Sequence, residues 1–168
     1  EELIIPLRFL RAGKGDPIEG LRRFEATLAW RKQERIDMIL REAFPDFNFI
    51  KRHYPHYFHL RGRKNEPVFY AKPPQTNLIA LRAGGVTVEK LLRQYSLVCE
   101  FLWQYIEPDD SAQSIYIIDL EGLRMGSFVD DTKSFVRQAS ALSAQHYPER
   151  AGYVFVINVP AWFKFIWR

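Results

Sequence analysis

Two segments in the last third of the chain are apolar on both faces, and this pattern limits the folds open to the chain more than any other. They are residues 115–120 and 153–157. A strand with one face in solvent alternates apolar and polar residues, whereas a doubly apolar strand is typical of the centre of a parallel sheet. Between them lies a segment with apolar side chains at helical spacing, residues 130–146, with Phe135, Ala139 and Leu142 facing inward. Strand, helix and strand within about 45 residues predict a βαβ unit.

The first half of the chain is predicted to be mostly helical. Asp16 is a helix cap, Pro17 fits the first turn, and Glu19 completes a capping box. Shorter helices are expected over residues 3–12 and 36–44, and a long one follows the capping residue Thr87. Between them, residues 57–60 and 68–70 are predicted to be two strands that are joined by a polar turn.

These elements predict an α/β fold in which a helical N-terminal bundle is followed by a mixed or parallel sheet with flanking helices. The helical region is residues 1–50, and the sheet region is residues 51–168. Two central strands and one hairpin make a thin sheet, so we expect further sheet to follow beyond Arg168. The aromatic end, residues 161–168, is expected to be a core helix or a segment at a membrane boundary.

Composition removes several classes of function. The net charge of +4 is far from that of a nucleic-acid coat, so no nucleic-acid partner is expected. One cysteine, Cys99, excludes an internal disulfide and a cysteine-built zinc site. No nucleophile motif or glycine-rich phosphate loop is present, so we expect neither an enzyme nor a cofactor. The sequence also shows no signal-peptide pattern and no run of the roughly 18 apolar residues that a spanning helix needs, so no segment of it is expected to span a bilayer.

Two clusters of polar residues have a structural and a functional interpretation. His53, His56 and His59 have a spacing that could bind a metal on one helix, but Pro55 lies among them and favours an extended chain, so surface or interface histidines are the preferred interpretation. A basic cluster is either a solvated loop or a surface for anionic lipid, at about 1 kcal/mol per residue. It comprises Lys51, Arg52, Arg61, Arg63 and Lys64.

The segment that joins the predicted helix to the last strand also has two interpretations. It reads Tyr147-Pro148-Glu149-Arg150. Pro148 ends the helix, and the two charged residues can form a surface ion pair. Alternatively, the Arg150 guanidinium can grip a phosphate while Glu149 orients it or accepts a hydrogen bond from a sugar hydroxyl.

Several short motifs, taken in order, resemble the CRAL-TRIO lipid-transfer domain, the fold of phosphatidylinositol transfer proteins. They are LRFLRA at residues 7–12, Trp30-Arg31, Tyr54-Pro55, PVFY at 67–70, IDLEG at 118–122, YPER at 147–150 and INVP at 157–160. The resemblance implies a helical bundle followed by a sheet that floors an apolar cavity for the acyl chains of one lipid. It also implies extraction and delivery of lipid, or its presentation to a lipid kinase, without covalent chemistry.

The resemblance also implies site residues. Glu149 and Arg150 match a phosphoinositide headgroup site, whereas Gly13 replaces an arginine of that site. Four further positions line the cavity in members that bind phosphatidylcholine, where they are two tyrosines, a serine and a threonine. Here they are Phe58, Phe69, Ser114 and Tyr116, so only the serine is kept.

The expected function is therefore binding and intermembrane transfer, or presentation, of a phospholipid such as phosphatidylinositol or of another hydrophobic ligand. The protein is expected in the cytoplasm, peripheral at membranes, with a lipid kinase or another protein as partner. The alternative is a decayed lipid site that serves as a regulatory or protein-interaction module. The changes at Gly13, Phe58, Phe69 and Tyr116 favour that alternative.

Overall fold

A computed structural model of the chain describes residues 4–124 and 130–162, apart from the side chains of residues 130–132. Six α-helices occur in these residues: α1 (Leu7–Ala12), α2 (Pro17–Gln33), α3 (Phe47–His53), α4 (Leu78–Ala83), α5 (Val88–Phe101) and α6 (Asp130–His146). Short 3-10 helices cover Ile36–Arg41 and Pro73–Gln75, and a π-helical turn, Leu102–Ile106, extends α5. The four strands are β1 (His56–Arg61), β2 (Pro67–Ala71), β3 (Ser114–Asp119) and β4 (Ala151–Ile157).

The four strands form one mixed sheet in the order β1-β2-β3-β4. The β1 and β2 strands form an antiparallel hairpin, whereas β2 pairs with β3, and β3 with β4, in parallel. The doubly apolar segments are therefore parallel neighbours with a helix between them, which confirms the predicted βαβ unit. The α/β class, with helices beside a mixed sheet, is confirmed as well.

The register of the sheet gathers specific side chains on one face. Tyr116 of β3 lies opposite Phe69 of β2 and Val154 of β4. Ile118 likewise lies between Ala71 and Val156. Because successive side chains of a strand point to opposite faces, all of these side chains share one face of the sheet.

The predicted caps are present at α2 and α5, with one difference. Asp16 Oδ1 accepts a hydrogen bond from the backbone N–H of Ile18 at 2.9 Å, and Thr87 accepts one from the N–H of Lys90 at 3.3 Å. The predicted capping box does not form. Glu19 binds Arg22 and Arg23 instead, because arginines three and four residues further along the helix lie within its reach.

The segment after α2 differs from its prediction. The expected helix over residues 36–44 is a 3-10 helix, Ile36–Arg41, with Ile36 and Ile39 buried. A spacing of three residues places both side chains on one side of a 3-10 helix, which turns once every three residues. The separate helix α3 was not predicted, and it buries Ile50.

The main core lies where α6 meets the other helices. Phe135 and Ala139 are buried in a cluster with Ile50, Leu81 and Leu91. The inward positions predicted for Phe135 and Ala139 are confirmed, whereas Leu142 is only half-buried. None of the helices that the structure describes combines the length and apolar character needed to cross a bilayer.

The side chains of strand β4 are more exposed than its doubly apolar sequence predicts. Tyr153, Val154 and Phe155 remain 51%, 58% and 50% exposed. Among the described residues, β3 is the one strand paired with β4. The predicted terminal aromatic segment lies outside the described residues from residue 163 onward.

Candidate functional site

An open cavity of about 1100 Å³ lies between one face of the sheet and α6. The segment of residues 73–79 lines it as well. Cavities for drug-sized ligands range from about 300 to 1000 Å³, so this cavity has room for a larger molecule.

The sheet supplies an apolar wall to the cavity. Phe69 and Tyr116, with Ala71, Ile118 and Val156, line it from three adjacent strands. These are the side chains that the parallel register brings together on one face. The wall therefore depends on the alternation of the strands, in which every second residue faces the cavity.

The helices supply the opposite wall, which is apolar with a few hydroxyl groups. Phe135, Ala139 and Ser143 recur every four residues along α6, so they share one helix face. Tyr95 of α5 joins them, and its hydroxyl is hydrogen-bonded to that of Ser143. Alanine and serine are small, and this leaves width for a ligand between α6 and the sheet.

Two of the four predicted lining residues lie in the cavity wall and two do not. Phe69 and Tyr116 line the cavity. Phe58 packs behind them against the cluster of Cys99, Leu102 and Trp103, with its ring centroid 5.4 Å from that of Phe69. Ser114 is fully buried and donates its hydroxyl to the carbonyl of Arg150 at 3.3 Å.

Arg150 lies on the cavity lining and is bound to the loop that precedes β3. Its Nη1 donates to the carbonyl oxygens of Asp109, Asp110 and Ala112, at 2.7, 3.1 and 3.1 Å. Its guanidinium also stacks on the ring of Trp103. Burial lowers the pKa of Arg150. The donors that remain for a ligand are Nε and Nη2, and Nη2 lies 3.6 Å from a carboxylate oxygen of Asp110.

Glu149 is exposed beside Arg150 and also lines the cavity. Its backbone has a φ of 61°, and its carbonyl accepts a hydrogen bond from Gln113 at 3.0 Å. A positive φ is uncommon for residues other than glycine, so the turn presents this carboxylate in a fixed backbone conformation.

A buried carboxylate ties the N-terminal helices to this turn. Glu100 of α5 pairs with Arg31 of α2 at 2.8 Å and accepts the hydroxyl of Tyr147 at 2.7 Å. Trp30 stacks on His146, the last residue of α6, with ring centroids 4.0 Å apart. The position of the turn that carries Glu149 therefore depends on the packing of α2.

Four tyrosines line the cavity, and sequence reasoning assigned a site to only one of them, Tyr116. The four are Tyr54, Tyr95, Tyr116 and Tyr147. Tyr95 stands on the apolar stripe of α5, but that stripe predicts burial and not an approach to Tyr116. Burial raises the pKa of all four hydroxyls, to about 12 for Tyr54. They are therefore neutral hydrogen-bonding groups at physiological pH.

The histidines and the basic cluster do not form sites of their own. His53 ends α3, while His56 and His59 belong to β1. In the described part of the chain, no group of three or more histidine, cysteine or acidic residues is placed to hold a metal ion. The basic cluster is divided as well, since Lys51 donates to the carbonyl of His56 and Arg61 pairs with Glu107.

Comparison with known proteins gives a consistent result. The chain is 32% identical over 174 residues to the SEC14 cytosolic factor of Eremothecium gossypii, and the match covers 96% of this chain and 54% of that protein. It is 24% identical to the phosphatidylinositol/phosphatidylcholine transfer protein SFH11 of Arabidopsis thaliana, with 95% of this chain and 44% of that protein covered. The chain thus spans about half the length of the curated relatives it matches.

A solved structure and a family model agree with these matches. The crystal structure of Sfh5 superposes with a TM-score of 0.77 at 16% identity, over 96% of this chain and 56% of that one, which supports the fold. The family model of the CRAL/TRIO domain matches residues 51–168, the part of the chain that contains the sheet and the cavity wall of α6. The chain therefore belongs to the CRAL/TRIO domain family.

Proposed function

We propose that this chain forms the lipid-binding part of a carrier that binds a phospholipid, such as phosphatidylinositol, and transfers it between membranes or presents it. The observation that carries the proposal is the open apolar cavity of about 1100 Å³ between the sheet and α6. Exposing an acyl chain to water costs about 0.8 kcal/mol per CH₂ group, so a carrier must provide an apolar wall. Phe69, Ile118 and Phe135 belong to such a wall.

The relatives support the same ligand class. SFH11 of Arabidopsis thaliana is described as a phosphatidylinositol/phosphatidylcholine transfer protein. The alternative of a decayed lipid site has less support, because a cavity of lipid size is present despite the changed residues Phe69 and Tyr116. Binding and transfer of a lipid neither make nor break a covalent bond, so the proposal includes no catalytic residue.

The headgroup end of the proposed site is the Glu149–Arg150 turn. Both residues line the cavity, and the Glu149 carboxylate is exposed. Nε and Nη2 of Arg150 are the donors for a phosphate, while Glu149 accepts from the hydroxyls of an inositol ring. Phe69 and Tyr116 contact the acyl chains. Phe58 and Ser114 act from behind the wall, Phe58 by supporting the ring of Phe69 and Ser114 by binding the carbonyl of Arg150.

We place the exchange of lipid at the surface of membranes in the cytoplasm, with the protein bound peripherally. The relative in Eremothecium gossypii is described as a cytosolic factor, which supports the compartment. We also propose a lipid kinase or another protein as a partner. A lipid that is presented, and not transferred, needs a second protein that binds its headgroup.

Filling the cavity tests the proposed function. Ser140 lies on α6 within the lining, whereas Gln138 is exposed on the same helix outside it. We expect Ser140→Trp in the full-length protein to lower both the lipid bound after exposure to phosphatidylinositol-containing vesicles and the rate of transfer. Gln138→Trp should change neither. Equal binding and transfer by Ser140→Trp and the parent protein would place lipid outside this cavity.

The headgroup end has its own test. We expect Arg150→Ala to weaken phosphatidylinositol binding by about 1.5–3 kcal/mol, the scale of a charge-assisted hydrogen bond, and to change phosphatidylcholine binding much less. Glu149→Gln, which leaves the guanidinium in place, should also weaken phosphatidylinositol binding more than phosphatidylcholine binding. Unchanged phosphatidylinositol affinity in both variants would remove the turn from the site.

A further inference from the structure

Strand β1 carries an exposed leucine at an irregular point of its pairing. The register of β1 against β2 shifts between Phe58 and Arg61, and Leu60 lies within this bulge with a φ of 58° and is 77% exposed. A positive φ favours glycine, asparagine or aspartate over leucine. Among the described residues, Leu60 packs in none of the buried clusters. An apolar side chain at this position is therefore explained neither by the backbone nor by packing.

Two exposed aromatic side chains lie beside the end of this strand. Arg61 donates to the carbonyl of Ile106 at 2.8 Å and pairs with Glu107, so the end of β1 is bound to the end of the π-helical turn. Tyr105, the residue before Ile106, is 69% exposed. Its ring stacks on that of Phe101, which is 46% exposed. Scattered apolar residues are ordinary on a protein surface, whereas a group of them in one region marks an interaction surface.

Two cations without an ion pair flank these apolar side chains. Arg63 and Lys64, both members of the basic cluster, are exposed in the turn between β1 and β2, and neither side chain has a partner among the described residues. The nearby acids are bound within the protein. Glu66 accepts the backbone N–H of Lys64 at 2.8 Å, and Glu107 pairs with Arg61. A net positive charge therefore remains on the turn.

We infer that these side chains form a surface that binds an anionic membrane. It consists of Leu60, Arg63, Lys64, Phe101 and Tyr105 and is called here the hairpin surface. Leucine and aromatic side chains with basic neighbours are typical of the membrane–water interface, where the apolar groups enter the acyl boundary and the cations meet anionic headgroups. The inference rests on the proposed function, because it names the surface by which the carrier reaches a membrane. None of the five residues lines the cavity.

The form of the hairpin surface favours a membrane over a protein partner. Residues 59–61 and 63–65 are exposed at consecutive positions, which is typical of a turn that projects from a sheet. A lipid leaflet accepts a projecting apolar side chain at any point and supplies mobile anionic headgroups. A protein partner needs a pocket for Leu60 and acidic groups at fixed positions.

Vesicle sedimentation with the full-length protein tests the inference. The vesicles consist of phosphatidylcholine alone, or of phosphatidylcholine and phosphatidylserine in equal amounts. We expect tighter binding to the anionic vesicles, and weaker binding as the salt concentration rises. Leu60→Asn should lower binding to the anionic vesicles roughly 10- to 100-fold, the effect of burying one leucine side chain. Because asparagine suits a positive φ, this variant should lose binding without losing stability.

Reversal of the two cations tests the electrostatic part. The double variant Arg63→Glu with Lys64→Glu should lower binding to the anionic vesicles roughly 30-fold or more, and binding to the neutral vesicles much less. Ile18→Asn is the control for Leu60, because Ile18 is 79% exposed on α2. Lys32→Glu with Arg41→Glu reverses two exposed cations elsewhere in the helical region. Both controls should bind like the parent protein.

The outcomes separate this inference from the proposed function. Phosphatidylinositol binding should persist in Leu60→Asn, because the hairpin surface lies outside the cavity lining. Parental binding to anionic vesicles by both Leu60→Asn and the charge-reversed variant overturns the inference and leaves an acidic protein as the occupant of this surface. Equal binding of the parent protein to neutral and anionic vesicles overturns it as well. Neither result contradicts the proposed function, which fails if the parent protein binds no lipid in its cavity.

Discussion

The guanidinium carbon of Arg150 lies 4.2 Å from the ring centroid of Trp103. The same guanidinium binds three carbonyls of the loop before β3, and the Arg150 carbonyl accepts the backbone N–H of Ser114 at 2.8 Å. Arg150 therefore joins the start of β4 to the start of β3 and to the end of the long helix. A residue that matches a headgroup motif also holds the parallel strands in register.

Removal of this guanidinium should destabilise the protein. We expect Arg150→Ala to lower the free energy of unfolding by about 2–3 kcal/mol, because three carbonyl oxygens lose a charged donor and Trp103 loses its stacked cation. Urea denaturation of the ligand-free protein measures this change. Arg137→Ala, at an exposed position of α6, is the control and should change stability little. Equal stability of both variants would contradict a structural role for Arg150.

Asp119 should be a second stabilising residue, at the other end of β3. Its carboxylate accepts hydrogen bonds from the Tyr70 hydroxyl at 2.5 Å and the Asn158 amide at 2.8 Å, and pairs with Lys72 at 3.1 Å. These contacts hold the pKa of Asp119 well below its usual range. We expect Asp119→Ala to cost about 2–4 kcal/mol in thermal or urea unfolding, since it removes a buried carboxylate that binds Tyr70, Asn158 and Lys72 at once.

Glu121→Ala is the matched control for Asp119. Glu121 also approaches Lys72, at 3.7 Å, but its side chain is 71% exposed. Exposed ion pairs contribute little, so this variant should lose less than about 0.5 kcal/mol. A loss as large as that of Asp119→Ala would show that stability depends on the negative charge near Lys72 and not on the hydrogen bonds of the Asp119 carboxylate.

Stability should fall between neutral and mildly acidic pH because of two buried histidines. Burial lowers the pKa of His56, and of His146, from about 6.5 to about 4. Between these values the unfolded chain binds protons that the folded chain does not, so stability present above pH 6.5 is lost as the pH falls toward 4. We expect a loss of roughly 3 kcal/mol from His56 and less from His146, which keeps more contact with solvent, measured by urea denaturation across this range.

A histidine variant tests whether His56 contributes to this pH dependence of stability. His56→Gln should flatten the decline in stability, because it removes one of the two groups that take up protons on unfolding. His59→Gln, at an exposed position of the same strand, should leave the decline as it is. Parallel pH profiles for His56→Gln and the parent protein would exclude His56 as a source.

Close packing of α6 should make a larger side chain destabilising at a buried alanine and harmless at an exposed one. Ala139 is 8% exposed and packs in the main core, whereas Ala141 is exposed on the same helix. We expect Ala139→Leu to destabilise by about 1–3 kcal/mol through overpacking. Ala141→Leu should change the thermal midpoint little. A neutral Ala139→Leu would mean that the adjoining cavity absorbs the added methyl groups.

Local signals in the sequence were sufficient for most of the elements, for the β1–β2 hairpin and for the parallel pairing of β3 with β4. The doubly apolar segments around Ile117 and Phe155 predicted parallel neighbours, and these two residues are paired in the sheet. The caps Asp16 and Thr87 were also predictable, because a cap depends on residues two or three positions away. The helix α3 was not predicted, because few of its side chains are buried and its apolar pattern is short.

The sequence by itself determined the class of the fold, the βαβ unit and, through the resemblance, two wall residues, Phe69 and Tyr116. Only the tertiary structure decided that Phe58 and Ser114 lie behind the wall, and that Tyr54 and Tyr95 line the same cavity as Tyr116. The reason is physical. A strand or a cap is specified by neighbours in sequence, whereas a cavity wall is specified by which faces of distant elements meet, and that is set only when α5, α6 and the sheet pack together.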